Sequence, residues 1–219
     1  MALGFWQLGR GRAKDALQGA IDQRESLPVL SQQSLLAPDP AQFMHRRVAV
    51  RGTWDAAHTV FLDNRQLNGA PGFYVVTPLK LEGSDRAVLV QRGWAPRNFE
   101  RREQLPPVTT PVGSVELDGR IAPPPARLYE FHGNEHGAIR QNLDLASFGA
   151  ETGLKLLGVS VMQTGAPSEG LRRDWPRASS GSERNYGYTF QWWAMSAVIA
   201  ILYVWFQFIA PRRQARAAR

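Results

Sequence analysis

The densest set of metal-ligating side chains in this 219-residue chain is FHGNEHG, Phe131 to Gly137, where His132 and His136 stand four apart with Glu130 and Glu135 beside them. On a helix that spacing would bring both imidazoles to one face, as a zinc site needs. Gly133, Gly137 and the preceding run Pro123 to Pro125 argue for a loop instead, so the stretch reads as a polar surface turn and no metal is assigned. His45 and His58 stand alone. The chain has no GxSxG elbow and no phosphate-cradling glycine loop. With no cysteine it has no thiol nucleophile, disulfide, Cys-ligated zinc or iron–sulfur cluster. Asp63, Asp85 and Asp118 fall at strand ends or turns, where Asp is expected, and nothing pairs two carboxylates. The sequence therefore assigns no catalytic residue and reads as a non-enzyme.

A second kind of chemistry is written near the C-terminus. Tyr188, Gln191, Trp192, Met195, Ser196 and Ala200 share one helical face by their three- and four-residue spacing. Ser196 and Ala200 are small enough to admit a second helix closely. Two readings remain: interfacial anchoring with lipid contact, or a docking face for a partner helix or a flat cofactor, carried by Tyr188, Gln191 and Trp192.

The element that must hold this face is the stretch Tyr188 to Ala210, which has no charged side chain. The uncharged run extends from Asn185 to Pro211, between Arg184 and the pair Arg212 and Arg213. A helix rises about 1.5 Å per residue, so some twenty apolar residues cross a hydrocarbon core of about 30 Å. Trp192, Trp193 and Trp205 stand where interfacial belts form. The tail PRRQARAAR holds Arg212, Arg213, Arg216 and Arg219 and no acid, so the C-terminus is expected to be cytoplasmic and the main domain periplasmic, in a bacterial inner membrane. The net charge of +7 includes those four arginines, which leaves +3 elsewhere, an ordinary surface with no nucleic-acid signature.

At the other end, MALGFWQLGRGRAK has an apolar run, Met1 to Leu8, too short to span a bilayer and in the wrong order for a signal peptide. It reads as the outer end of a membrane helix whose earlier turns precede Met1. A helix from Arg10 to Leu27 follows, ended near Pro28. Strands are predicted at Val48–Trp54, Thr59–Asn64, Phe73–Leu81, Ala87–Ala95, Ser114–Ala122 and Leu154–Thr164, with a short helix at Asp144–Thr152. The first two strands read as a hairpin. Pro78 places its end of the third strand at an edge or bulge. The fourth, the most apolar, reads as central. The expected fold is α+β, mostly β: a small antiparallel sheet or partial barrel with a C-terminal transmembrane helix and the remnant of an N-terminal one. The expected division is 1–27, the end of a first span and a helix; 28–164, an extracytoplasmic β-rich domain; 165–184, a linker; 185–211, the transmembrane helix; and 212–219, a basic cytoplasmic tail.

Four stretches taken together resemble one family, the Surfeit-locus cytochrome c oxidase assembly factors. Leu3, Gly4, Trp6, Gln7, Arg10 and Lys14 are similar to its LGxWQ opening and the basic residues after it. Gly72, Val75, Thr77, Pro78 and Leu79 match a GxxVxTPL-like strand, and Val88, Leu89, Val90, Arg92, Gly93, Trp94 and Pro96 a VLVxRGWxP-like strand. Tyr188, Thr189, Gln191 and Trp192 match a YAxQW-like element, with Thr189 for its Ala. The resemblance implies two membrane spans with both termini cytoplasmic. It also implies a part in maturing haem–copper oxidases, with cytochrome c oxidase subunit I and other oxidase assembly proteins as partners. Bacterial members are linked to haem a, held by a histidine in an NxHLxYA-like element; aligned on Tyr188, that histidine position is Asn185 here, a poor ligand for haem iron. Haem a is therefore expected at most transiently, its ligand unassigned. The alternative is a membrane-anchored protein-binding module of the envelope with no haem role. A weaker third reading is a metal-dependent enzyme using His132 and His136.

Overall fold

The computed structural model describes residues 2–98, 100–101, 104–126, 137–179 and 181–210. His132 and His136 lie outside these. The chain divides into two compact units, one of Met1–Ile21 with Arg177–Arg219 and one of Asp22–Pro176.

Among its described residues the second unit has seven strands: β1 (Arg47–Trp54), β2 (Val60–Leu67), β3 (Ala70–Leu81), β4 (Arg86–Pro96), β5 (Ser114–Ala122), β6 (Ile139–Arg140) and β7 (Lys155–Gln163). The order is β1-β5-β7-β4-β3-β2-β6, and a further pairing of β1 with β3 closes β1, β5, β7, β4 and β3 into a five-stranded barrel. β1 turns Val48, Val50, Gly52 and Trp54 inward at alternate positions, the period of a half-buried strand. β4 is buried on both faces from Ala87 to Ala95, and its two neighbours, β3 and β7, make it the central strand that its apolar run implies. Val48, Val50, Leu79, Val88, Val90, Ile121, Val159 and Val161 fill the barrel, with Leu35 against them. On the outer face, helix α2 (Leu145–Thr152) lays Phe148 with Leu143 over Val60, Leu62, Val76 and Leu89. Asp144 caps α2, its Oδ1 accepting from Ser147 N at 3.0 Å, and Gly153 ends it at φ 69°.

The six strands read from the sequence are present within a few residues. The partnering differs. β1 and β2 do not form a hairpin; β1 pairs with β5 along its length and with β3 at Gly52–Trp54. The link at Ala56–His58 is a 3₁₀ turn, and Asp55 N donates to Pro78 O on β3, so the chain leaves β1 sideways. The tight hairpin is β2–β3, where Asn68 (φ 52°) and Gly69 (φ 81°) give the paired left-handed residues that a two-residue turn wants. β4–β7 and β2–β6 are parallel, so the sheet is mixed rather than antiparallel. β6, two residues long, has no periodic signal. Pro78 sits where β3 has left β2, at Val76, and has just reached β1, at Leu79, so its missing N–H leaves no gap in the ladder.

The RGW stretch of β4 clamps the chain that follows β7. Arg92 is the extra residue where the β3–β4 register slips, and its side chain is 0% exposed. Its guanidinium donates to Glu169 Oε2 (2.9 Å), Thr109 O (2.7 Å) and Thr110 Oγ1 (2.8 Å) and lies 4.8 Å from the Trp54 ring centre. A Cβ on Gly93 would stand 2.7 Å from Arg172 O, so only glycine lets that strap pass. Trp94 exchanges backbone hydrogen bonds with Arg172 at 2.7 and 2.9 Å.

In the first unit, α1 is one continuous helix, Ala2–Glu25, and α3 runs Ser182–Val204 with a wider π turn to Ile209. The apolar start and the helix read from Arg10 are one element: Gly9 and Gly11 sit inside α1, and its Ala, Gln, Arg and Lys residues favour helix. Leu3, Phe5 and Trp6 stand exposed at its N-terminal end, an apolar surface that does not by itself mark α1 as the remnant of a span. Among the described residues one helix, Ser182–Ile209, is long and apolar enough to cross a membrane.

Candidate functional site

Within the first unit α1 and α3 lie antiparallel and are tied at polar and aromatic contacts. Phe5 packs its ring edge against Trp193 at 5.4 Å, and a Cβ on Gly4 would overlap that indole, so glycine sets the closeness of the pair here. Two turns further on, Gly11 leaves room for the Tyr186 ring, whose Cε1 would stand 2.9 Å from a Cβ. The Tyr186 hydroxyl donates to Asp15 Oδ2 at 2.6 Å. That bond, with one from Ser182 and the charge of Lys14, holds the Asp15 carboxyl below the usual carboxylate range.

Asn185 is the polar centre of the pair. Its Oδ1 accepts from Lys14 Nζ at 2.9 Å and its Nδ2 donates to Gln7 Oε1 at 2.6 Å, so both ends of the amide are used between the helices. A cleft of about 310 Å³ opens beside it, lined by Trp6, Arg10, Lys14, Arg184, Asn185 and Tyr188 among others. Arg10 stacks on Trp6, 5.1 Å from the ring centre. None of the lining residues is acidic. Such a cleft can hold a small anion or the polar end of an amphiphile.

The face that α1 covers is that of Asn185, Tyr186, Thr189 and Trp193, and Thr189 is 4% exposed. It is offset from the face expected to dock a partner. Tyr188, at the mouth of the cleft, Gln191 and Met195 point away and are exposed, while Trp192 is half-buried and Ser196 turns its hydroxyl back to Trp192 O. Tyr188, Gln191 and Trp192 therefore form a strip that α1 leaves open. Elsewhere the candidate groups are dispersed. Asp63 pairs with Arg97 and Asp85 with Lys155, and His58 and Lys80 both bind Asp55. Burial works to raise the Asp55 pKa, but those two hydrogen bonds outweigh it and hold the carboxyl low. Burial, then Arg120 and Arg24, push His45 below the ordinary imidazole range. Among the described residues no three His, Cys, Asp or Glu stand close enough to hold a metal.

Sequence reasoning missed the cleft. Its signal was the i, i+4 series Trp6, Arg10, Lys14, which becomes visible once α1 is read as one helix, and Arg184 with Tyr188 on α3.

Comparison with known proteins agrees with the four motifs. The model of the SURF1 family matches residues 1–197, which takes in α1, the whole barrel unit and more than half of α3. A SURF1-like protein of Drosophila melanogaster is 28% identical over 96% of this chain and 74% of its own length. A SURF1-like protein of Rickettsia felis is 29% identical over 48% of the chain, and the Saccharomyces cerevisiae cytochrome oxidase assembly protein SHY1 is 27% identical over 42%. Those two matches take in 43% and 24% of the relatives' lengths.

Proposed function

We propose, since the chain belongs to the SURF1 family, that it is a membrane-anchored assembly factor for cytochrome c oxidase. The observation that carries this reading is the extent of the family match, which runs through both units, together with the oxidase-assembly name of the yeast relative. The finer reading is that it assists maturation of subunit I in the bacterial inner membrane. The arginines of the tail favour a cytoplasmic C-terminus and a periplasmic barrel unit, and the resemblance adds a first span ahead of α1. The open strip Tyr188, Gln191 and Trp192 is the surface offered to the oxidase subunit or its assembly proteins. The test is deletion of the gene. Oxidase activity and membrane haem a should fall while the transcript for subunit I persists; a deletion strain with normal oxidase would refute the proposal.

Haem a fits this helix pair poorly. The position where the family carries its histidine holds an amide already bonded at both ends to Lys14 and Gln7, and neither α1 nor α3 contains a histidine. This favours an assembly role in which the chain docks a partner and does not itself ligate haem a, and it supports as second reading a membrane-anchored protein-binding module of the envelope with no haem role. Full-length protein purified from cells making haem a should show no ligated-haem absorption, and Asn185→His should gain it. A ligated-haem spectrum in the unaltered protein would mean that another residue supplies the ligand.

A further inference from the structure

The cleft between α1 and α3 has a charge and a height that the assembly role does not explain. Arg10, Lys14 and Arg184 converge on about 310 Å³ of open volume with no carboxylate in its wall. Lys14 is shared with Asn185, whereas Arg10 is held only against the Trp6 ring, and Arg184 is exposed. Gly181, the residue before α3, also lines the cleft and gives the helix start no side-chain cap, so the positive end of the helix adds to the field.

The height follows from α3. Its 28 residues from Ser182 to Ile209 rise about 42 Å, against ~40–45 Å for a bilayer with its headgroups. When α3 crosses, its first two turns, with Arg184 and Tyr188, stand at the level of the lipid headgroups. Trp6 and Tyr188 are 54% and 46% exposed and flank the cleft as interfacial aromatics do, while Leu3 and Phe5 continue the apolar surface below it.

We propose that this cleft binds the phosphate headgroup of an anionic phospholipid, of the phosphatidylglycerol kind, in the leaflet at the N-terminal end of α3. Arg10 and Arg184 take the phosphate oxygens, Lys14 adds a third cation, and the acyl chains run down the Leu3, Phe5 and α3 surface. A zwitterionic lipid fits less well, because its ammonium would meet the same three cations. Free phosphate shares the headgroup chemistry but lacks the chains, and the test separates the two.

Full-length protein in detergent is titrated with dioleoyl phosphatidylglycerol, and retained lipid is counted by native mass spectrometry. One phosphatidylglycerol per chain should be held at low lipid ratio, dioleoyl phosphatidylcholine should not, and excess inorganic phosphate should not displace the lipid. Arg10→Gln with Arg184→Gln removes two exposed side chains, and retention should fall about tenfold or more. Circular dichroism should report unchanged helix in that variant. The same charge removed at Arg47 and Arg86, exposed on the barrel unit, should leave retention intact. Equal retention of phosphatidylcholine, equal loss from the Arg47 and Arg86 variant, undiminished retention in the cleft variant, or displacement by phosphate would each overturn the proposal. The inference rests on α3 crossing a bilayer and not on the oxidase role, whose own readout is the deletion strain.

Discussion

Arg92→Met should lower the stability of the barrel unit by about 3–5 kcal/mol, the range for breaking a buried ion pair by removing one partner. The side chain is wholly buried, and four acceptors stand around it: Glu169 Oε2, Thr109 O, Thr110 Oγ1 and, at 3.5 Å, Thr77 Oγ1. Methionine fills much of the volume but leaves Glu169, 18% exposed at its side chain, facing apolar surface with only Arg173 at 3.4 Å to answer it. A drop of that size corresponds to a melting point lower by roughly 10 °C for a chain of this length. The full-length protein in detergent, followed by tryptophan fluorescence on heating, gives the number. Glu169→Gln in the Arg92→Met background should cost little more, so a double-mutant cycle should return a coupling of about 2 kcal/mol or above. In cells the variant should accumulate poorly and oxidase should fall with its abundance. Unchanged melting with lost oxidase would instead make Arg92 a contact for a partner.

This prediction also bears on why the RGW stretch is so legible. A sequence motif invites a reading in terms of chemistry, yet each of its three residues has a structural task. Arg92 binds the 109–110 and 169 segments, Gly93 lets residues 171 and 172 cross, and Trp94 pairs with Arg172.

Strand existence could be read because alternation is local: Val48, Val50 and Trp54 declare their face within seven residues. Strand partnership could not. The β1–β5 and β4–β7 pairs join residues roughly seventy apart, and whether Asp55–His58 reverses the chain or sends it sideways depends on Pro78 O, far along β3. The same limit governs the helix pair. The apolar length of α3 is written in one stretch, but the face it turns to α1 is set by Gly4, Gln7 and Gly11, some 180 residues away. Small residues at Ser196 and Ala200 suggested one face; the paired amides and the glycines chose another.

Gly72→Ala, a single methyl, should destabilise the barrel unit by about 3 kcal/mol, from overpacking of ~1–3 kcal/mol plus a hydrogen bond of ~1 kcal/mol. Gly72 lies on β3 between Arg65 of β2 and Pro96 of β4. The Trp94 indole reaches from β4 across β3 to donate its Nε1–H to Arg65 O at 2.8 Å, and it is 3% exposed. To make that bond the ring must lie over Gly72, and a Cβ there would overlap both the ring and the Ala95 carbonyl oxygen. The carbonyl belongs to the sheet backbone and cannot turn aside as a side-chain tip would. Either β3 and β4 separate at their ladder or Trp94 leaves its place and exposes Arg65, itself 7% exposed. Gly158→Ala is the matched control, since nothing stands within 4 Å of its Cβ, and it should melt with the unaltered protein. Coincident melting of Gly72→Ala and Gly158→Ala would show that the strands yield at no cost, and the account of Trp94 as a cross-strand tie would fall with it.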